Sequence, residues 1–210
     1  VYDLTPRVLH CEAAQHADEV VVTTQHVLAY RGNALFLSRK TWRVDDRGVL
    51  HGDIQVDIAS DIPEPARVGL SVHLAETPEN VSWLGLGPHE NYPDRKLAAQ
   101  QGRWTLPLAE MHTPYIFPTE NGLRCDTREL ALGTHQLNGR FHFSVSRYGQ
   151  QQLRETTHYH LLREEPGCWL NFDAFHMGVG GDDSWSPSVS PEFLLQTRQL
   201  RYTFSWQQNP

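Results

Sequence analysis

A glycine-rich loop near the carboxyl end of the sequence carries the side chain best suited to bind a ligand. Residues 178–181 are Gly-Val-Gly-Gly, Trp185 follows, and Pro187 closes the loop. Glycine permits a tight backbone path that other residues disfavour. An indole displayed in such a polar loop can stack on the apolar face of a sugar ring or on another planar ligand. The alternative is that Trp185 folds back as a local core plug, and the residues alone leave both interpretations open.

The acidic pair in the same loop has a less demanding explanation than catalysis. Asp182 and Asp183 are adjacent and precede Ser184. Adjacent residues of an extended chain point to opposite faces, so neighbours seldom form a catalytic dyad. Short polar side chains in loops commonly accept hydrogen bonds from nearby backbone. We therefore expect these residues to support the loop and to bind no metal.

Other candidates for acid–base chemistry are sparse. His158 and His160 would share one face of an extended chain, but a tetrahedral metal site needs more ligands. Together with Glu155 they are the only compact histidine–carboxylate set, the kind that a sugar mutarotase or epimerase requires. Glycoside hydrolysis needs two carboxyls that face each other across a sugar, and neither Glu90 nor Glu120 shows such a partner. Nucleophile-elbow, phosphate-loop and zinc-protease motifs are absent from the sequence.

Composition excludes several functional classes. The sequence has 210 residues with a formal net charge of −7, which argues against general nucleic-acid binding. It contains neither the run of about 18 apolar residues needed to cross a membrane nor a secretory leader. Its three cysteines form no CxxC pair, which is typical of free thiols in a reducing compartment. We expect a cytoplasmic protein. Because the sequence begins with Val1 rather than methionine, and Met111 and Met177 both lie deep inside it, we also expect a piece of a longer protein or a processed product.

Alternating hydrophobicity predicts an all-β domain that positions the loop. Ile54, Val56 and Ile58 share one face of a strand, and residues 67–74 and 200–206 alternate in the same way. The first two of these strands lie on either side of a proline-containing linker and are expected to form an antiparallel pair. The only helix expected covers residues 150–157. These patterns predict a large antiparallel sandwich of twelve or more strands, and they exclude a TIM barrel or Rossmann fold within these residues.

Two segments lack such patterns. Residues 1–18 show no convincing period and are interpreted as a connecting segment from a preceding domain, which leaves 19–208 as one domain. Residues 83–126 are dense in glycine, proline and aromatic residues and are expected to be mostly irregular. A long irregular stretch in a compact domain is usually functional or packs against another domain.

Three long motifs carry a family resemblance. Residues 83–95 are Trp-Leu-Gly-Leu-Gly-Pro-His-Glu-Asn-Tyr-Pro-Asp-Arg, and residues 113–125 are Thr-Pro-Tyr-Ile-Phe-Pro-Thr-Glu-Asn-Gly-Leu-Arg-Cys. The third, residues 175–187, begins Phe-His-Met-Gly and contains the loop described above. In this order they resemble the C-terminal domain of large bacterial β-galactosidases, glycoside hydrolases of family 2. The likeness runs from about Glu19 to Trp206.

The resemblance implies a galactose mutarotase-like β-supersandwich and a role in lactose hydrolysis and transglycosylation. In that family the catalytic glutamates lie in an upstream TIM-barrel domain, and the Mg²⁺ and Na⁺ ligands lie in other domains. This chain would then be inactive alone, bind no cofactor, and pack on the other domains of a homo-oligomeric enzyme. Trp185, supported by Asp182, Asp183 and Ser184, would stack on the glucose side of the substrate. Alternatives are the mutarotase and a carbohydrate-binding module in which Trp83 or Trp104 joins Trp185.

Overall fold

Antiparallel strands make up nearly all of the regular structure. The structure is a computed structural model that describes residues 4–182, 185 and 188–209. The strands are β1 (Thr5–His16), β2 (Glu19–Tyr30), β3 (Asn33–Val44), β4 (Leu50–Ile58), β5 (Arg67–Leu74), β6 (Asn80–Gly87), β7 (Gln100–Pro107), β8 (Arg124–Leu132), β9 (His135–Ser146), β10 (Cys168–His176) and β11 (Gln199–Gln208). The helix α1 covers Gln150–Glu155, and short 3-10 turns cover Leu108–Met111, Tyr159–Leu161 and Pro191–Phe193. The all-β prediction is confirmed, as is the predicted helix, but the described residues form eleven strands rather than twelve or more.

The sheet branches at β9. Its main path runs β1-β2-β3-β4-β11-β9-β8-β6-β7, and β10 leaves that path to pair with both β9 and β5. The first part of β9, residues 135–139, pairs with β11, whereas residues 142–146 pair with β10. One long strand therefore belongs to two diverging layers, and the apolar faces of those layers enclose the core.

Phenylalanine side chains fill the space at this branch. Phe143 and Phe172 are opposite each other on β9 and β10, and both are almost completely buried. The Phe172 ring meets the edge of Phe204 on β11 at a centroid distance of 4.9 Å. Edge-to-face pairs of this kind add to the free energy gained from burial. Phe172 thus joins the two layers of the core.

The predicted strands exist, but the predicted pairing of β4 with β5 is wrong. β4 pairs with β3 and β11, whereas β5 pairs with β10. Ile54 and Val56 of β4 line a cavity of about 790 Å³ together with Val68 and Leu70 of β5. The apolar faces of β4 and β5 therefore lie opposite each other across the sandwich. Alternation predicts a half-buried face, but it does not choose the neighbouring strand.

Both segments that lacked a pattern contain strands. Residues 5–16 form β1, which pairs with β2 along its length. Nearly every β1 residue is exposed, so no apolar face produces an alternation. Likewise β6 and β7 occupy much of the stretch that was expected to be irregular. The division at residue 18 into a connecting segment and a domain stays a prediction.

Candidate functional site

The third motif displays its tryptophan at the surface. The Trp185 side chain is 92% exposed, so the interpretation as a local core plug is wrong. Asp182 is also exposed. Asp183 and Ser184, which were expected to support the loop, lie outside the described residues. An exposed indole offers a flat apolar surface to a ligand.

The loop that carries Trp185 closes at its base. Gly180 and Gly181 have φ values of +65° and +88°, the left-handed region that favours glycine. A Cβ on Gly180 would lie 2.5 Å from the Ser188 carbonyl oxygen, so the two arms of the loop touch there. The Gly178 N–H also donates to the Phe193 carbonyl oxygen at 3.2 Å. The two ends of the loop therefore lie next to each other.

The first motif holds this base. The Gly180 N–H donates to Asp94 Oδ2 at 2.7 Å, and Arg95 Nη2 donates to the Gly180 carbonyl oxygen at 2.9 Å. Asp94 and Arg95 follow β6 in the chain, 86 and 85 residues before Gly180. The first and third motifs are thus joined through charged side chains.

The first motif also holds the second one. Glu90 Oε2 accepts the Gly122 N–H at 2.8 Å, and the Tyr115 hydroxyl donates to the other oxygen of Glu90. Asn91 Oδ1 accepts the Cys125 N–H at 2.9 Å. All three motifs therefore meet in space, with residues 90–95 between the other two. Glu90 is engaged in these contacts and has a structural role.

A buried ionic cluster lies on β5 and β10, next to the start of the third motif. Arg67 donates from Nη2 to Asp173 Oδ2 at 2.6 Å and from Nη1 to Glu120 Oε2 at 3.2 Å. His176 Nε2 lies 3.7 Å from Glu120 Oε1, and Tyr92 of the first motif meets the His176 ring at a centroid distance of 5.6 Å. These contacts stabilise the strand end from which the Trp185 loop departs.

The charges in this cluster shift one another's titration. Burial raises the pKa of Asp173 to about 6, although Arg67 opposes the rise. Burial disfavours the charged forms of Glu120 and His176 as well. The attraction between them outweighs this effect, with Arg67 contributing at Glu120, so the pKa of Glu120 is lowered and that of His176 is raised. Sequence reasoning missed the cluster, because Arg67, Glu120 and Asp173 are distant in the chain and only the fold brings them together.

The mutarotase candidates do not converge on one cleft. His158 and His160 are exposed, with ring centroids 5.6 Å apart. Glu155 lines the large cavity, but neither histidine is among the residues that line it. Glu155 instead accepts a hydrogen bond from Gln151 at 2.9 Å. A histidine acid and a carboxylate base are therefore not brought together here.

The structure also contradicts the sugar-binding face expected of a carbohydrate-binding module, in which Trp83 or Trp104 would join Trp185. Trp83 is 2% exposed, and its indole N–H donates to the Leu86 carbonyl oxygen. Trp104 is half-buried against the core and donates to the Gly85 carbonyl oxygen. Both indoles are parts of the fold, so neither forms a ligand surface with Trp185.

Two further properties concern the described part of the chain. Within residues 4–182, 185 and 188–209, no group of three or more His, Cys, Asp or Glu side chains is arranged to hold a metal ion. The residues present therefore do not fit a Mg²⁺ or Na⁺ site built from such groups. None of the helices in those ranges has the length and apolar character needed to cross a membrane.

Comparison with known proteins gives a consistent result. The family model described as the β-galactosidase small chain matches residues 3–206. A β-galactosidase of Enterobacter cloacae is 90% identical over all 210 residues. A second protein of that organism, β-galactosidase 2, is 86% identical over the same length. The chain spans 20% of the length of each of these relatives.

Proposed function

Since the chain belongs to the β-galactosidase small-chain family, we propose that it is an accessory domain of a β-galactosidase and is inactive alone. Its share of the relatives' length, 20%, leaves room for the catalytic machinery elsewhere. The carboxylates at the site already make contacts within the fold. Glu90 accepts a hydrogen bond from Tyr115, and Asp173 and Glu120 both accept hydrogen bonds from Arg67. The contribution of this domain is then to binding rather than to bond cleavage.

The observation that carries the proposal is the exposed Trp185 on a loop whose base is fixed. The indole stacks on the apolar C–H face of the glucose unit of lactose, or of another sugar that accepts the galactosyl group. Stacking of the indole on this face gains dispersion and hydrophobic free energy. Galactosides and glucose are thus its ligands, and Asp182, Asp183 and Ser184 support the loop.

The whole enzyme would hydrolyse lactose with retention of configuration. One carboxylate attacks the anomeric carbon, a covalent galactosyl intermediate forms, and water or an acceptor sugar releases it. Both carboxylates would belong to a TIM-barrel domain outside this chain, and the Mg²⁺ and Na⁺ ligands would also lie in other domains. Trp185 acts where the leaving glucose departs and where the acceptor arrives.

An exposed apolar patch supports packing on another domain. Ile116 and Phe117 of the second motif are 83% and 64% exposed, and Leu161 is 46% exposed. The Tyr159 N–H donates to the Ile116 carbonyl oxygen at 2.9 Å, which joins the two segments of the patch. Large exposed apolar patches mark interaction surfaces. The partner is the catalytic domain of the same enzyme, which is cytoplasmic and homo-oligomeric.

Complementation tests the accessory role. Hydrolysis of a chromogenic galactoside is measured with this chain alone, with the Enterobacter relative truncated before the matching segment, and with the two mixed. No activity alone and recovery in the mixture are expected. Activity of the chain alone would contradict the proposal, because catalytic carboxylates would then lie within it. Measurable affinity of the isolated chain for free sugar would favour a carbohydrate-binding module instead.

Substitution of Trp185 tests the stacking role in a full-length enzyme that carries this sequence. Trp185→Ala is expected to weaken acceptor binding by about 1–2 kcal/mol, the scale of a partly buried aromatic contact. Trp185→Phe keeps a flat apolar surface and should retain part of the affinity. Tyr30→Ala removes another exposed aromatic, on β2, and serves as the matched control. Unchanged acceptor affinity in Trp185→Ala would refute the stacking role.

A further inference from the structure

We propose that Asp94 and Arg95 are positioning residues, which hold the Trp185 loop in the orientation that binds the acceptor sugar. This inference rests on the stacking role proposed above. It gives a function to the end of the first motif, which contributes neither to the core nor to an acid–base pair.

The two side chains hold one residue from both sides. Asp94 accepts the Gly180 N–H at 2.7 Å, and Arg95 donates to the Gly180 carbonyl oxygen at 2.9 Å. Both polar groups of the Gly180 backbone are therefore engaged by charged partners. Hydrogen bonds with an ionised partner are shorter and about twice as strong as neutral ones. Such a pair fixes the rotation of the loop base as well as its position.

The glycines of the loop are explained by the approach of these side chains. A Cβ on Gly178 would lie 2.5 Å from Asp94 Oδ2, and one on Gly181 would lie 3.0 Å from Arg95 Nη2. Gly180 itself has a φ of +65°, and a Cβ there would lie 2.5 Å from the Ser188 carbonyl oxygen. A side chain at Gly178 or Gly180 would collide with these atoms, and one at Gly181 would be strained by the φ of +88°. The Gly-Val-Gly-Gly run is thus matched to Asp94 and Arg95.

The positioning residues stand on a rigid support. The Arg95 N–H donates to the Tyr92 carbonyl oxygen at 2.8 Å, and Tyr92 is 3% exposed. The Asn91 N–H donates to the Leu123 carbonyl oxygen at 2.8 Å. Trp185 lies five residues beyond Gly180 on a loop that returns to Gly180 at Ser188. Holding Gly180 therefore reduces the conformational freedom that acceptor binding would otherwise have to remove.

The first measurement concerns the contact itself. Hydrogen–deuterium exchange of the Gly180 amide is compared in full-length enzymes that carry this sequence with and without Asp94→Ala. Exchange about tenfold faster or more is expected, because the amide loses a charged acceptor. Asp94→Asn keeps an oxygen at this place and should restore much of the protection. Unchanged exchange in Asp94→Ala would overturn the proposal whatever the role of Trp185.

The second measurement concerns the acceptor. Glucose as acceptor is titrated in the transgalactosylation reaction, and Asp94→Ala and Arg95→Ala are each expected to raise its apparent Kd by about threefold to tenfold. This rise should exceed any change in kcat for galactoside hydrolysis without acceptor. A merely structural role would lower kcat and leave the acceptor Kd unchanged, and that result would overturn the proposal. Arg103→Ala, which removes a surface ion pair with Glu129, is the matched control.

The two proposals fail in different ways. If Trp185→Ala weakens acceptor binding but the Asp94 and Arg95 variants do not, the stacking role stands and the positioning role is refuted. If Trp185→Ala has no effect on the acceptor, the stacking role fails, and the positioning role fails with it. The exchange rate of the Gly180 amide still decides whether the contact orders the loop.

Discussion

Substitution of Arg67 by methionine should destabilise the fold strongly and in a pH-dependent manner. Arg67 is shared by Asp173, whose side chain is 2% exposed, and by Glu120, whose side chain is 28% exposed. Methionine retains much of the apolar stem of arginine but removes the charge. Two carboxylates then remain in a poorly solvated place without their cation, which is the costly way to break a buried ion pair.

The magnitude follows from that geometry. Removing one partner of a buried pair costs about 3–5 kcal/mol of unfolding free energy. The upper half of this range is expected near neutral pH, because Arg67 donates to Asp173 through both Nη2 and Nε. Gln150 and His176 still face Glu120, so that carboxylate keeps part of its stabilisation.

The sign of the pH dependence is set by Asp173. Burial raises its pKa to about 6 in the folded protein, above the usual value. The folded state therefore binds this proton more tightly, and the associated stability is present at low pH and is lost as pH rises toward 6. Without Arg67 the pKa rises further, so the variant keeps losing stability above pH 6. The difference between the two proteins should then grow by about 1.4 kcal/mol per pH unit in that range.

Urea denaturation followed by circular dichroism at about pH 5 and about pH 8 measures this difference. Arg67→Met combined with Asp173→Leu removes the unpaired carboxylate and should recover much of the loss. A loss below about 1 kcal/mol that is equal at both pH values would refute the reasoning. So would a double variant as unstable as Arg67→Met.

The remaining predictions concern the core and the thiols. Phe172→Ala should lower the unfolding free energy by about 3–5 kcal/mol, measured by the same denaturation, because Phe172 joins both layers of the sandwich. In the native protein a thiol reagent at neutral pH should label the exposed Cys11 and spare the buried Cys125 and Cys168. Burial raises the pKa of Cys125 to about 12 and that of Cys168 to about 11, so neither forms the reactive thiolate. Rapid labelling of more than one thiol without denaturant would contradict the second prediction.

The sequence predicts elements well where one face is buried and poorly where packing is unusual. Ile54, Val56 and Ile58 alternate because β4 has a core face, and that strand was predicted. β6 was expected to be irregular because of its glycines. A Cβ on Gly85 would lie 2.6 Å from Thr127 Oγ1, and one on Gly87 would lie 2.8 Å from Trp83 Cζ2. These glycines allow close packing inside a strand, which looks like loop composition in the sequence.

The candidate site was predictable in part. The composition of the third motif left a displayed indole and a local core plug equally open, and the exposure of Trp185 agrees with the displayed indole. The partners of the loop were not predictable, since Asp94 and Gly180 are 86 residues apart and tertiary folding alone brings them together. Residue types identify which side chains can do chemistry, but the fold decides which of them meet.

The place of β11 in the sheet has a consequence for synthesis on the ribosome. β11 comes after every other strand in the chain, yet it lies between β4 and β9 in the middle of the sheet. Until residues 199–208 emerge, β4 and β9 each present an unpaired edge, and such edges recruit other chains. The strands made earlier cannot join into one sheet before that point. Nascent chains of this domain are therefore open to pairing with other chains until the last strand is inserted.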